Sequence, residues 1–434
     1  MSVALNHTHD AATRSWVESA NSEDTDFPIQ NLPLGVFSMG SAGPRCGVAI
    51  GDRIFDLKLA AQRGLIDGPV ADAISEANLD RLFALGRPAL RMLRHAVFAL
   101  LRDDSGRRED SLTPPMKDCA LHLPTSIRSF TDFYVGVHHA IRCAEVLGQG
   151  ENPLPPNYHA MPLGYNGRAS TVRVSGENVR RPIGMCKPIG QPQPSFGACE
   201  WLDFELEMGF YIGPGNAIGE PVSIDDAEDQ VVGYCLLNDW SARDIQLFEM
   251  APLGAFNSKS LSTSISPWVV TADALEPFRI APMERLPGAG PIPAYLDGAA
   301  DRGHGGVDIA LMATLSTAAM RAAGLPAAHL LETGSRYLYW TCAQMVAQQS
   351  VTGCCLTPGD LIGTGTISGP EQGSYASLFE LSAGGREPIH LPNGERRTFL
   401  EDGDEVTFTG RCSRDGYRPI GFGTCAAQIL PALA

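Results

Sequence analysis

Apolar and polar positions alternate over short runs through most of this chain. From Asp26 the text DFPIQNLPLGVFS and then CGVAIGDRIFDL reads as strands separated by Gly, Pro and Asp turns. Between residues 71 and 101 the period lengthens. Ile74, Leu79, Leu82 and Phe83, then Leu90, Leu93, Val97 and Leu100, recur at helical spacing. The polar stretch DDSGRREDSLTPPMKD follows and marks a boundary near residue 120. Beyond it STVRVSG, FELEMGFYIG, VVGYCLLND, SPWVVT, DIALMATLS, DLIGTGTIS, SLFELS and DEVTFTG read as strands, interrupted by one helical segment, SRYLYWTCAQMVAQQSV. The expected fold class is mainly β (α+β). A flexible tail over 1–23 precedes a small β-rich domain over 24–120 and a larger roll, barrel or sandwich over 121–434.

One stretch, WLDFELEMGFYIGPGN from residue 201, breaks the usual economy of a strand. Alternation puts Asp203, Glu205 and Glu207 on one face and Leu202, Phe204, Leu206 and Met208 on the other. Three like charges in a row repel, and a carboxylate taken out of water needs a partner. Either this face is wet and acidic, or the fold supplies a cation.

Composition narrows the field. With 44% hydrophobic and 19% charged residues the chain is that of a soluble globular protein with an ample core. Its formal charge of −16 argues against a nucleic-acid or anionic-membrane partner, which would need basic patches. The polar, acidic start has no signal-peptide architecture, and eleven cysteines without a CxxC pair read as free thiols, so a cytoplasmic location is expected.

Four segments set ionisable groups into apolar text. SFTDFYVGVHHAIR carries Asp132, Tyr134, His138 and His139; the acidic strand carries Glu205 and Glu207. LLNDWSARDIQ ends an apolar run in Asn238 and Asp239, offers Ser241 as a helix N-cap, and adds Arg243, Asp244 and Gln246. PLGAFNSKSLSTSISPW is a Gly- and Ser-rich loop with Lys259 and Thr263. Asp132, Glu205, Glu207 and Asp239 make an all-oxygen acidic set, the donor type that hard cations such as Ca²⁺ or Mg²⁺ take. Each residue also has a plainer reading: His139 as a structural histidine, Lys259 as a loop charge, Arg243 as an ion-pair partner of Asp244, Thr366 as one polar turn residue. Neither a P-loop nor a GxSxG elbow is present.

Taken in order, DFPIQNLPLGVFS, GVAIGDRIFDL, TDFY followed by HHA, GYNGRAS, VSGENVRRPIG, DFELEMGFYIGPGN, NDWSARDIQ, SPWVV, GTISGPE, DGDEVTFTG and IGFGTCAAQILPAL resemble the fumarylacetoacetase (fumarylacetoacetate hydrolase) family along nearly the whole chain. The resemblance implies a small SH3-like N-terminal domain and a C-terminal β-roll, usually in a homodimer. It also implies metal-dependent hydrolysis of the carbon–carbon bond of fumarylacetoacetate to fumarate and acetoacetate, the last step of tyrosine and phenylalanine degradation. By position it makes Asp132, Glu205, Glu207 and Asp239 ligands of Ca²⁺ or Mg²⁺, with Lys259 and Thr263 near a second cation beside Asp239. It makes His139 the general base and Glu380 its carboxylate partner, Arg243, Gln246 and Lys259 the oxyanion-stabilising set, and Tyr134, Tyr165, Gln246 and Thr366 substrate contacts.

Two departures fall in the specificity shell. Aligned without gaps, Gly148 stands where the family has a carboxylate-binding arginine, and Met250 where it has a substrate-contacting tyrosine. Arg142 is six residues before Gly148 and is the candidate replacement. These differences keep open a same-fold hydrolase or decarboxylase for another diketo acid such as an acylpyruvate, and a non-catalytic binder that keeps the cation for structure. The longer stretch RLPGAGPIPAYLDGAADRGHGGVD reads as a surface loop, and Cys354 and Cys355 have no assigned role.

Overall fold

The computed structural model describes residues 5–150, 153–187 and 193–433. Among them, a four-stranded antiparallel sheet forms first, in the order Arg53–Asp56, Arg45–Ile50, Leu34–Ser38, Ala120–His122. Helices Gly68–Ile74, Asp80–Ala84 and Gly86–Leu101 pack beside it, burying Ile74, Leu79, Leu82, Phe83, Leu90, Leu93 and Val97 as their spacing predicts. Leu100 is only half-buried, and Leu101 takes the inward position.

The larger part is a roll of two curved sheets. An eight-stranded mixed sheet runs Gly164–Asn166, Phe130–Phe133, Leu361–Gly363, Leu206–Ile212, Val231–Asp239, Thr263–Ile265, Val172–Val174, with Val270–Thr271 also paired to Val231–Asp239. A five-stranded sheet runs Ala328–Gly334, Ala310–Ser316, Glu405–Cys412, Ile420–Leu430, Val179–Arg180. The run VVGYCLLND is apolar without alternation because its strand is covered on both sides. Tyr234 and Leu236 enter the core shared with the five-stranded sheet, whereas Val232, Cys235 and Leu237 enter the core shared with the N-terminal helices.

Five local expectations fail, each for a physical reason. The segment read as a flexible tail is packed from residue 5 onward; its first four residues lie outside the described part. His9 Nε2 meets the Asp273 carbonyl at 2.8 Å, Arg94 donates to Thr8 Oγ1 at 2.9 Å, and Gln30 donates to the Asp10 and Thr13 carbonyls. Hydrogen bonds and a few scattered apolar side chains, Trp16, Val17 and Ala20, bury this segment, too few and too irregular for a periodic hydropathy signal. SLFELS is a helix, Leu378–Leu381, because Ser377 caps it. SRYLYWTCAQMVAQQSV shortens to Cys342–Ser350, since Thr341 and Gln344 form a capping box. Ser241 is not an N-cap; its hydroxyl donates to the Asp239 carbonyl, and the helix Arg243–Glu249 starts after Ala242. The long Gly- and Pro-rich stretch is no bare surface loop, for it forms a helix, Ala299–His304, and buries Leu296 and Asp301.

The two ends of the chain are stitched together. Gly421 N–H donates to the Asp26 carbonyl at 2.9 Å, Asn31 Nδ2 donates to the Gly421 carbonyl at 2.7 Å, and Arg418 donates to the Asn21 carbonyl at 3.0 Å. No helix among the described residues is long and apolar enough to cross a membrane.

Candidate active site

Strand register gathers the acidic residues. Phe130–Phe133 runs parallel to Leu361–Gly363 and antiparallel to Gly164–Asn166, which sets Asp132 beside both Gly363 and Tyr165. Leu206–Ile212 lies on the other side of Leu361–Gly363, and its partner Val231–Asp239 ends with Asp239 opposite Thr263. Carboxylate oxygens of Asp132, Glu207 and Asp239 thus lie within 4.8 Å of one another, all buried. The wet-face reading of the acidic strand fails, since Asp203, Glu205 and Glu207 are at most 5% exposed.

Glu205 does not join the three. Arg243 Nη1 holds its Oε1 at 2.7 Å and Lys259 Nζ holds its Oε2. Burial alone would raise its pKa, but Lys259, Arg243 and His139 outweigh it and bring it down to about 2. Burial pushes Asp132 well above the carboxylate range, with Asp239 adding to the rise. Burial does the same to Glu207, helped by Asp132 and Asp239.

The three-carboxylate group has the donors and the room for a cation. Asp132 Oδ1 and Glu207 Oε1 are buried with no hydrogen-bond partner, a costly state unless something positive faces them. A Cβ on Gly363 would stand 2.5 Å from Asp132 Oδ1 and 3.2 Å from Glu207 Oε2, so glycine keeps the space clear. Around this space Tyr165 donates to Asp132 Oδ2 at 2.9 Å and to Asp239 Oδ2 at 2.8 Å. The Gly365 N–H donates to Glu207 Oε2 at 2.9 Å. Lys259 Nζ donates to Asp239 Oδ2 at 2.6 Å, and Thr263 Oγ1 donates to Asp239 Oδ1 at 3.3 Å.

His139 stands at the edge of the same pocket. The helix Val137–Val146 starts at Gly136, where a Cβ would meet the Thr366 carbonyl at 1.9 Å, so only glycine allows this close approach. His139 Nδ1 contacts Glu380 Oε2 at 2.8 Å, and Nε2 faces Glu205 Oε1 at 3.9 Å. Glu380 is fully buried and accepts from Ser368 and Ser377, so it is fixed before it orients the ring. Burial opposes a charged imidazole, but Cys143 and Glu380 overcome it and hold His139 well above its ordinary pKa. Tyr134 lies edge-on to the His139 ring at 5.6 Å between centroids, and the buried Thr366 Oγ1 has no hydrogen-bond partner.

Asp203, left unassigned by the sequence, is the joint between these groups. It accepts Arg243 Nε at 2.9 Å and the backbone N–H groups of Leu378 and Phe379 at 2.7 and 3.1 Å. One buried carboxylate therefore sets both Arg243 and the helix that carries Glu380. Arg243 Nη1 also donates to Gln246 Oε1 at 3.2 Å, while its Nη2 has no partner. Ser377 had a readable signal in the S-x-x-E order of SLFE, and Asp203 stood in the acidic alternation without a role; Ser368 and Gly363 had none.

The two substituted positions stand apart from this cluster. Gly148 sits in an exposed turn at φ +70° with nothing near its Cβ position, and Met250 is 49% exposed after the helix Arg243–Glu249. Arg142 pairs with Glu145 at 3.3 Å and lies over the Tyr375 ring at 5.2 Å. Glu151 and Asn152 of the following loop lie outside the described residues.

Comparison with known proteins agrees along the chain. The family described as "Fumarylacetoacetase N-terminal" matches residues 30–124, and "Fumarylacetoacetate (FAA) hydrolase C-terminal" matches residues 129–430. A fumarylacetoacetase from Bos taurus is 46% identical over 424 residues, covering 95% of this chain and 98% of its own. Those from Homo sapiens and Arabidopsis thaliana are 45% and 44% identical, covering 95% and 97% of this chain and 98% and 99% of theirs. Sequence, fold and pocket agree, and the chain belongs to the fumarylacetoacetase family.

Proposed function

We propose that the protein hydrolyses the carbon–carbon bond of fumarylacetoacetate to fumarate and acetoacetate, the last step of tyrosine and phenylalanine degradation. The observation that carries this reading is the meeting, in one buried pocket, of a carboxylate-oriented imidazole with three carboxylates that share one ammonium group, Lys259. Asp132, Glu207 and Asp239 would hold a divalent cation, Mg²⁺ or Ca²⁺. Glu205, Lys259 and Thr263 would complete the surroundings once Glu205 is released from its ion pairs. Bound there, the cation supplies Lewis-acid stabilisation of the enolate that leaves as the diketone breaks.

The chain's own residues do the rest. His139 Nε2, with Nδ1 occupied by Glu380, takes a proton from the attacking water. The imidazole must be neutral to do so, which makes Glu380 a positioning group and also a brake at low pH. Arg243 Nη2, Gln246 and Lys259 face the oxyanion formed when water adds to the carbonyl. A donor of this kind contributes about 3–4 kcal/mol. Tyr134, Tyr165 and Thr366 contact the substrate. The homodimer implied by the family belongs to the same proposal; Phe196, Leu253 and Phe256, exposed at 73, 97 and 70%, are the apolar surface it would cover, and sedimentation tests it.

Turnover of fumarylacetoacetate, followed with added Mg²⁺ or Ca²⁺ and again after chelation, tests the reading. Metal-dependent loss of the diketone supports it. Absence of turnover by protein that still binds metal would refute it and turn attention to acylpyruvates, the alternative that Gly148 and Met250 favour.

A further inference from the structure

We propose that Glu249 is a positioning residue for Lys259: its carboxylate ties the helix that carries Arg243 and Gln246 to the turn that carries Lys259, so that the three act as one unit. The inference rests on the reading above in one respect, that these three side chains face the oxyanion.

The helix Arg243–Glu249 and the short turn Asn257–Lys259 are separated by residues 250–255, a mostly exposed stretch. Glu249 closes that stretch at its base. Its Oε1 accepts the Phe256 N–H at 2.7 Å, the Ser258 N–H at 2.9 Å and the Ser258 hydroxyl at 2.5 Å, and its Oε2 accepts the Asn257 N–H at 3.1 Å. Phe256 caps the turn without a side-chain hydrogen bond, so one carboxylate satisfies the N–H groups that the turn leaves free. The turn's remaining bonds are internal, from Lys259 and Ser260 to the Phe256 and Asn257 carbonyls. Among the described residues no other hydrogen bond joins this turn to that helix.

The plainer reading is a surface carboxylate that caps a turn, and two observations set Glu249 apart from it. As the last residue of its helix it stands near the final carbonyl groups, where negative charge is unfavourable. Burial would also raise its pKa, yet the bonds from Ser258, Phe256 and Asn257 outweigh it and hold the group below the ordinary carboxylate range. The turn then leads straight into the pocket. Ser258 and Lys259 are buried, and Lys259 Nζ reaches Glu205 Oε2 and, at 2.6 Å, Asp239 Oδ2. Arg243 Nη1 holds the other oxygen of Glu205 at 2.7 Å. Helix and turn are thus joined twice, by Glu205 inside the pocket and by Glu249 at its rim. Once Glu205 leaves its ion pairs, as the reading above requires, the outer tie is what keeps Lys259 beside Arg243.

The experiment compares the parent, Glu249→Gln, Lys259→Met and the double variant, each as full-length metal-loaded protein. We expect Glu249→Gln to lower kcat for fumarylacetoacetate by about ten- to a hundredfold with KM within about threefold, because the oxyanion forms only after substrate has bound. In the Lys259→Met background the same change should cost less than about twofold, as a group acting through Lys259 must. A second arm needs no turnover. Trypsin added to the native protein should cleave after Lys259 on the order of tenfold faster in Glu249→Gln than in the parent, read by peptide mass. A kcat within about twofold of the parent, an equal further loss in the Lys259→Met background, or unchanged cleavage after Lys259 overturns the proposal. If Lys259→Met does not fold, kcat of Glu249→Gln and the tryptic rate decide. Failure of every form to cleave fumarylacetoacetate would defeat the functional reading alone, since faster cleavage after Lys259 would still establish the tie.

Discussion

Replacing Glu207 with glutamine should remove most of the cation-dependent stability while leaving the cation-free protein folded. The three carboxylates lie within 4.8 Å, so each like-charged pair costs at least about 3.5 kcal/mol at an effective dielectric of about 20. The cation-free chain avoids that cost by keeping protons there, which is why burial and mutual repulsion raise Asp132 and Glu207. A cation at about a hundred times its Kd stabilises the native state by roughly 2.7 kcal/mol. The unfolding entropy, about 2.1 cal/mol/K per residue, amounts to roughly 0.9 kcal/mol/K for 434 residues. The expected rise in Tm is then about 3 °C, and Glu207→Gln should cut it below about 1 °C. Thermal unfolding by tryptophan fluorescence, with Mg²⁺, Ca²⁺ or chelator, measures it. The pH dependence follows from the same groups. Both folded-state pKa values are raised, so between the unfolded and the folded values the folded chain holds more protons. Falling pH through that window stabilises the cation-free protein and, because the cation needs both groups ionised, shrinks the cation-dependent rise. A Glu207→Gln protein that keeps the full rise, or a rise that grows on acidification, would refute the reasoning.

Three further outcomes can be checked on single variants. Glu380→Gln removes the charge that helps hold His139 protonated, so the acid limb of kcat/KM should move to lower pH while kcat falls roughly a hundredfold; an unmoved limb refutes the assignment. Gly363→Ala removes no ligand, yet its methyl group enters the space beside Asp132 and Glu207 and should abolish the metal-induced rise in Tm, read in the same melt. Asp203→Asn leaves Arg243 short of a buried partner and should cost about 3–5 kcal/mol in urea unfolding, with kcat reduced; a loss under about 1 kcal/mol would show that Arg243 does not depend on it.

What could be read from the residues followed what periodicity and chemistry encode. The alternation of FELEMGFYIG and the unbroken apolar run of VVGYCLLND both marked strands, and the acidic face posed a choice between a wet surface and a buried cation that only the fold decides. Period could not show that Glu205 turns to Arg243 and Lys259, because that choice depends on side chains contributed by segments distant in the chain. Nor could it show Asp203 as a joint, since its partners include the backbone N–H groups of Leu378 and Phe379. The N-terminal segment escaped notice because polar hydrogen bonds and a few irregularly spaced apolar side chains, neither with a periodic signature, bury it.

The stitch between Asp26, Asn31 and Gly421 has a consequence in time. Synthesis proceeds at about 5–20 residues per second, so the start of the chain waits on the order of twenty to eighty seconds for residue 421 to be made. Until then Asn31 lacks the carbonyl it will bind, although the sheet that the N-terminal helices cover is complete once Leu361–Gly363 is made. The last-made strand, Ile420–Leu430, is thus the closing step for the first-made segment. A chain that stops short of it leaves both ends unfastened, with the polar backbone of one and the apolar core of the other open to water and to neighbouring chains.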